Sequence, residues 1–235
     1  MDWSALIEFD KQLLLAVNGS DSLFLDGLVK TLTTAATWIP LYIALFYMVL
    51  KNNDTVQQIL LILGCAGLCV LFAGSLDDMI VKPTVARWRP THDPEIGMLV
   101  DTVNGYRGGD YGFFSAHASN TFSIAIFFSL LVRSRLLTIS LVAWSLVNCW
   151  TRMYLGVHYP GDILVGLLWG GLVGWLVWML HHRLNQRWSK SKSCSFVSEQ
   201  YTATGYQYAD IDVVICVLVL SLFYAILRGC YFLYV

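Results

Sequence analysis

Along this chain long apolar runs alternate with short polar ones, and the runs have the length of membrane spans. A helix needs about 20 mostly apolar residues to cross the hydrocarbon of a bilayer. Six stretches meet or approach that length: Thr31–Leu50, Ile59–Ile80, Ala116–Val132, Leu136–Tyr154, Ile163–Leu180 and Val213–Tyr234. The pattern predicts an all-α fold, a polytopic membrane bundle of about six transmembrane helices in one domain over residues 1–235. Ahead of it, Trp3, Leu6, Ile7, Leu13 and Leu14 fit one helical face. Asp2, Glu8 and Asp10 stand where a signal peptide would be basic, and no small-residue cleavage site follows. This segment reads as an N-terminal interfacial amphipathic helix. Within Ile163–Leu180, Gly166, Gly170, Gly171 and Gly174 would let a neighbouring helix approach closely, which predicts that this span sits inside the bundle. The polar segment of about 181–210, rich in Ser and Lys at Ser189–Ser195, reads as a flexible inner loop.

Composition strengthens the membrane reading. Hydrophobic residues make up 57% and charged residues 13%, against roughly 25% charged in soluble domains. Mean hydropathy is +0.60. A net charge of −1 gives no basic excess of the kind that tracks nucleic acid, so the bilayer and its lipids are the expected partners. The six cysteines show no CxxC pair or regular spacing, which points to neither a disulfide framework nor a zinc site. The sequence carries no reading of oligomeric state.

Lysine and arginine placement sets an orientation. With the N-terminus outside, the inner loops hold Lys51, Arg133, Arg135, Arg183, Arg187, Lys190 and Lys192. The outer side then holds Lys82, Arg87, Arg89, Arg107 and Arg152, with Lys11 near the N-terminus. Raw counts are close, and they separate once the outer residues are seen to belong to motifs. Both termini and the Thr91–Phe114 loop are therefore expected outside.

Three polar clusters stand at the outer ends of spans. They are Lys82-Pro83-Thr84-Val85-Ala86-Arg87-Trp88-Arg89-Pro90, then Phe114-Ser115-Ala116-His117, then Thr151-Arg152 with His158-Tyr159-Pro160-Gly161-Asp162. Taken singly each has a plain explanation. Basic residues at span ends snorkel to head groups, Ser115 is a good N-cap, and Pro160 with Asp162 suits a helix start. Taken together they bring cations, two histidines and a carboxylate to one membrane depth, and grouped ionisable residues in a membrane protein mark a functional site. The set is what phosphoryl transfer needs. Arginines and a lysine neutralise the oxygens of the transferred group, and amides opening the Ser115–His117 helix donate to a phosphate oxygen. One histidine attacks, a carboxylate fixes its tautomer, and a second histidine protonates the departing alkoxide.

Lys82-x6-Arg89-Pro90, Ser115-x-His117 and Arg152-x5-His158-x3-Asp162 together resemble the three-part signature of the type 2 phosphatidic acid phosphatase superfamily. The resemblance covers about residues 59–180, with the catalytic signature at 82–162. It departs from the usual pattern at Phe114, Ala116 and Thr151, where proline, glycine and serine are common. The resemblance implies a metal-independent lipid phosphatase with no cofactor. In that reading His158 forms a phosphohistidine, Asp162 supports His158, and His117 is the general acid. Lys82, Arg89, Ser115 and Arg152 bind phosphate.

The expected substrates are membrane lipid phosphates: undecaprenyl diphosphate, lipid A, phosphatidic acid or phosphatidylglycerol phosphate. A lipid-linked phosphotransferase using the same site is the alternative, and a transporter with charged span ends is a weaker one. A vanadate haloperoxidase shares the cradle but not the membrane scaffold. An outer-facing site in a bacterial inner membrane, open to the periplasm, is the expected location. Arg87, His92, Arg107, the Asp77-Asp78 pair and the glycine-aromatic loop Tyr106–Gly112 receive no fixed role.

Overall fold

The computed structural model describes residues 3–188 and 199–233, and in it the chain is built of helices. α1 (Trp3–Val17) and α2 (Leu23–Thr33) lead through a single tight turn at Ala35–Trp38 into α3 (Ile39–Lys51). α4 (Val56–Val70) continues through two wide-turned segments, Leu71–Ser75 and Asp77–Val81, into the short α5 (Lys82–Val85). After a long loop come α6 (Ala116–Val132), α7 (Arg135–Tyr154), α8 (Pro160–Trp188) and α9 (Tyr208–Tyr231). Hydroxyl caps start several of them: Ser22, Thr55, Ser115 and Ser134 accept from the amides of Leu25, Gln58, Ala118 and Leu137.

Each of the six apolar stretches lies largely in helix. Among the described residues, three helices are long and apolar enough to cross a membrane: Val56–Val85, Pro160–Arg187 and Tyr208–Tyr231. The first expected span, Thr31–Leu50, is not one straight helix. It breaks at Thr34, whose backbone is extended (φ −75°, ψ 123°), and the two halves diverge by 66°. Counted as one bent span, the pair makes a fourth crossing helix. α6 has only 17 residues, ended by Ser115 in front and by left-handed Arg133 behind. α7 carries Arg135, Asn148 and Arg152 and is less apolar than the others.

One further boundary and one helical face differ from the sequence reading. The inner loop does not begin near residue 181, because α8 runs on to Trp188. A stacked Trp178–His182 pair and a 2.9 Å His182–Gln186 contact support those extra turns. The Ser/Lys-rich stretch Ser189–Ser195 lies outside the described residues. α1 is amphipathic, but its protein-facing side carries Asp10, Lys11 and Leu14, while Leu6, Ile7, Phe9 and Leu13 stay exposed.

The core forms around α6. Phe127, Val132, Leu137, Leu141, Trp144, Met48 and Ile62 are buried in one cluster. α8 meets α6 through its glycine stripe. A Cβ on Gly166, Gly170 or Gly174 would fall 2.8, 2.4 or 2.5 Å from the carbonyl oxygens of Ser115, Ser119 or Ser123. The stripe therefore lets two backbones touch, as the sequence predicted, and it sets the spacing between the start of α6 and the start of α8.

Candidate active site

The three clusters converge where α5, α6, α7 and α8 begin or end. Ser115 caps α6, and its backbone amide donates to the Asp162 carbonyl at 3.2 Å, so the first turns of α6 and α8 are tied together. Asp162 is fully buried in the first turn of α8, where its carboxylate accepts from the Tyr159 amide at 3.0 Å. His158, in the short turn between α7 and α8, is 2% exposed. Its Nδ1 stands 3.8 Å from Asp162 Oδ2 and has no hydrogen-bond partner. Closure of about 1 Å would make that contact a hydrogen bond. Its Nε2 lies 3.3 Å from Arg89 Nη1. One ring nitrogen thus faces the carboxylate and the other faces a guanidinium.

Arg89 sits in an extended segment that pairs with the glycine-aromatic loop. Its amide donates to the Asp110 carbonyl, and the Gly112 amide donates to the Arg87 carbonyl, each at 2.9 Å. Arg89 also donates through Nε to the Tyr111 carbonyl at 3.1 Å and through Nη1 to the Val157 carbonyl at 3.3 Å. A Cβ on Gly112 would come 3.0 Å from Arg89 Cγ and 3.4 Å from Asp162 Oδ2. The loop is therefore a wall of the site. Arg107 and His92 help hold it: Arg107 Nη1 donates to the Thr91 carbonyl, and His92 Nε2 lies 4.0 Å from Asp110 Oδ1.

Arg152 is 4% exposed at the end of α7. Its Nη1 donates to Thr33 Oγ1 at 2.6 Å, and its buried Nε has no partner. Its guanidinium lies 5.9 Å from the Tyr106 ring. His117 and Arg152 line one cavity of about 440 Å³, together with Thr33, Thr34 and Tyr106. Lys82 stands against Asp77, at 3.2 Å, and Asp78. Asp77 is buried and also accepts from the Phe114 amide at 3.2 Å, which links the end of the wide-turned segment to the approach of α6. That wide turn is the kind of helix defect that recurs at functional sites.

The electrostatics follow from this crowding. Burial, reinforced by the positive charges of Arg89, Arg152 and Lys82, holds the His158 pKa well below that of a free imidazole. The ring is therefore neutral at physiological pH, with a lone pair for attack. Burial, together with the neighbouring charge of Arg152, also lowers the Arg89 pKa. Lys82 and Arg87 are matched by carboxylates, whereas among the described residues Arg89 and Arg152 have none within ion-pair distance, and such unmatched cations are the electrostatic complement of a phosphate.

The sequence missed one set of contacts. Arg87 donates through Nη1 to Asp162 Oδ1 at 2.7 Å and through Nη2 to Asp10 Oδ2 at 2.6 Å. Its guanidinium stacks 4.2 Å from the Tyr159 ring centroid. Burial disfavours its charge, but Asp162 and Asp10 outweigh that and raise its pKa. Asp10 Oδ1 also accepts from the Gly161 amide at 2.8 Å, so a residue of α1 caps α8. Arg87, left without a role by the sequence, thus ties Asp162 to α1. The available signal was its spacing: in an extended segment, residues two apart share a face, which places Arg87 beside Arg89. Nothing in the sequence marked Asp10 as the partner of Arg87, or Thr33 as the partner of Arg152. Among the described residues, no group of three or more His, Cys, Asp or Glu side chains is arranged to hold a metal ion.

Comparison with known proteins agrees with this geometry. The family model described as PAP2 superfamily matches residues 58–186. A lipid A 4'-phosphatase of Bacteroides thetaiotaomicron is 41% identical over 184 residues, covering 77% of this chain and 81% of the relative. One from Porphyromonas gingivalis is 35% identical over 185 residues, covering 78% and 77%. The crystal structure of a transmembrane PAP2-type phosphatidylglycerolphosphate phosphatase from Bacillus subtilis superposes with a TM-score of 0.58. It is 19% identical and covers 80% of this chain and 90% of that one, which supports the fold. The chain belongs to the PAP2 superfamily, as an integral membrane phosphatase.

Proposed function

We propose that the protein hydrolyses a phosphate monoester of a membrane lipid through a phosphohistidine on His158. The observation that carries this reading is the two-sided setting of that ring, Nε2 beside Arg89 and Nδ1 facing buried Asp162. In the proposed first step the Nε2 lone pair attacks phosphorus, an N–P bond forms and the P–O ester bond breaks. His117 donates a proton to the departing alkoxide, and Asp162 stabilises the imidazolium. Lys82, Arg89, Arg152 and the Ser115 end of α6 hold the phosphate oxygens. In the second step His117 takes a proton from water, which attacks phosphorus as the N–P bond breaks. Inorganic phosphate leaves and neutral His158 returns.

The substrate proposed first is a lipid A phosphate, because two relatives over three quarters of the chain are lipid A 4'-phosphatases. The proposed setting is a single domain of about six spans, with α1 lying in the interface and the site on the outer, periplasmic side of a bacterial inner membrane. The exposed Leu6, Ile7, Phe9 and Leu13 of α1 support that placement of the helix.

The test is phosphate release by detergent-purified protein in excess EDTA. The panel is lipid A, phosphatidic acid, phosphatidylglycerol phosphate and undecaprenyl diphosphate, with His158→Ala as control. The reading expects lipid A to be hydrolysed fastest, EDTA to have no effect, and the variant to be inactive. Release only in the presence of an added acceptor lipid would replace hydrolase with phosphotransferase. An active His158→Ala would remove the proposed nucleophile.

A further inference from the structure

The break at Thr34 is a built feature. Where a helix opens at membrane depth, its freed polar groups need partners or a cavity to line. Here Thr34 Oγ1 donates to the Lys30 carbonyl, Thr37 Oγ1 to the Thr31 carbonyl and Trp38 Nε1 to the Leu32 carbonyl, at 2.7, 2.7 and 2.8 Å. The opened segment then lines two cavities. One is the 440 Å³ cavity of His117 and Arg152. The other, of about 630 Å³, lies between the break and α9, and the two share Lys30 and Thr34.

The second cavity has the make-up of an amphiphile site. Val217, Leu220, Tyr224 and Phe232 give it apolar walls, and Lys30 and Arg228 give it two cations. Among the described residues neither cation has a carboxylate within ion-pair distance. Each lies near an aromatic ring instead, Lys30 5.5 Å from the Phe232 centroid and Arg228 5.7 Å from that of Tyr231. Both side chains are exposed. Two glycines fix the helices that carry them: a Cβ on Gly27 would meet Phe232 at 2.6 Å, and one on Gly229 would meet Phe24 at 3.0 Å. α2 and α9 therefore touch, and the two cations open on one groove that shares Lys30 and Thr34 with the cavity of His117 and Arg152.

We propose that this groove is a second anion subsite, in which Lys30 and Arg228 hold a non-reacting phosphate or carboxylate of the lipid whose other phosphate occupies the cavity lined by His117 and Arg152. The apolar walls between α3 and α9 receive part of that lipid's hydrocarbon. Charge complementarity selects this occupant: two cations with no carboxylate partner among the described residues, beside an apolar trough that adjoins a phosphate cradle, match a lipid with two separated anionic groups. The inference rests on the lipid phosphatase reading above and adds a specificity determinant to it.

The experiment compares a bisphosphorylated lipid A with the same lipid carrying only the reacting phosphate, and uses p-nitrophenyl phosphate as a soluble probe of the cradle. Wild-type protein should show a KM lower by on the order of tenfold for the bisphosphorylated lipid. Arg228→Gln should abolish that difference by raising its KM, with kcat and p-nitrophenyl phosphate hydrolysis unchanged. Arg228→Lys should restore part of it. An Arg228→Gln variant that weakens both lipids equally would point to a contact with bilayer head groups and overturn the subsite. Unchanged KM values would overturn it as well. If wild-type protein releases phosphate from p-nitrophenyl phosphate but from no lipid, the lipid phosphatase reading falls and takes the subsite with it.

Discussion

Arg87→Met removes one guanidinium from between two carboxylates and leaves its length in place. Arg87 contacts Asp162 at 2.7 Å and Asp10 at 2.6 Å, with side-chain exposures of 26, 0 and 15%. Removing one partner of a buried pair costs about 3–5 kcal/mol because the remaining charge has no compensation. Arg87 keeps some contact with water, and Asp162 keeps the Tyr159 amide, so the low end applies, about 3 kcal/mol. For a chain of this size that is a drop in Tm of roughly 6–12 °C. Freed Asp162 would no longer be aimed at His158, and misplacement on the order of 1 Å in such a site costs about a hundredfold in kcat. The assay is a thermal unfolding curve in detergent beside lipid phosphatase kinetics, for Arg87→Met, Asp10→Asn and the double variant. Asp10→Asn alone should cost less, since Arg87 keeps Asp162. In the double variant the two losses should fall short of their sum by more than about 0.5 kcal/mol, because Asp10 has no cation left to hold. Additive losses, or an Arg87→Met variant with unchanged Tm and kcat, would refute the network.

The neutral state of His158 sets the acid limb of the pH profile. Burial and the charges of Arg89, Arg152 and Lys82 lower its pKa, so kcat/KM should hold as pH falls through 6.5 and drop only below it. Arg89→Gln should move that limb upward, and a wild-type limb at or above 6.5 would contradict the assignment. Stability follows with the same sign. Between pH 6.5 and the folded-state pKa the unfolded chain takes up a proton that folded His158 refuses, so Tm should fall as pH falls through that window. Gly170→Ala would place a Cβ 2.4 Å from the Ser119 carbonyl oxygen. Overpacking of that kind costs about 1–3 kcal/mol, and pushing α6 from α8 separates His117 from Asp162, so Tm and kcat should both decrease. Gly64→Ala, where a Cβ meets nothing within 4 Å, is the control and should be silent.

Much of the site was legible in the sequence because its chemistry sits in short motifs at span ends. Ser115, His117, Arg152, His158 and Asp162 occupy helix termini whose direction the apolar runs already define. The glycine stripe of α8 was legible for the same reason, since spacing by four marks one helical face. What the sequence could not show depends on contacts between distant segments. Asp10 meets Arg87 across 77 positions, and Arg152 meets Thr33 across 119. The break at Thr34 was hidden because Thr31, Thr34 and Thr37 sit in an apolar run without glycine, and proline comes only at Pro40. Their hydroxyls satisfy carbonyls near the break, an effect that hydropathy does not register. The far end of α8 is polar, which hydropathy reads as loop, whereas Arg183, Leu184, Gln186 and Arg187 are good helix formers.

The most direct test of the central claim is to trap the intermediate. Protein mixed with radiolabelled lipid phosphate and quenched in alkali within one turnover should carry label on His158, stable to base and released by acid. His158→Ala should carry none, and His117→Ala should accumulate more with an activated leaving group, because its loss slows the water step. Labelled phosphate released with no labelled protein at any quench time, or label retained in His158→Ala, would contradict the account.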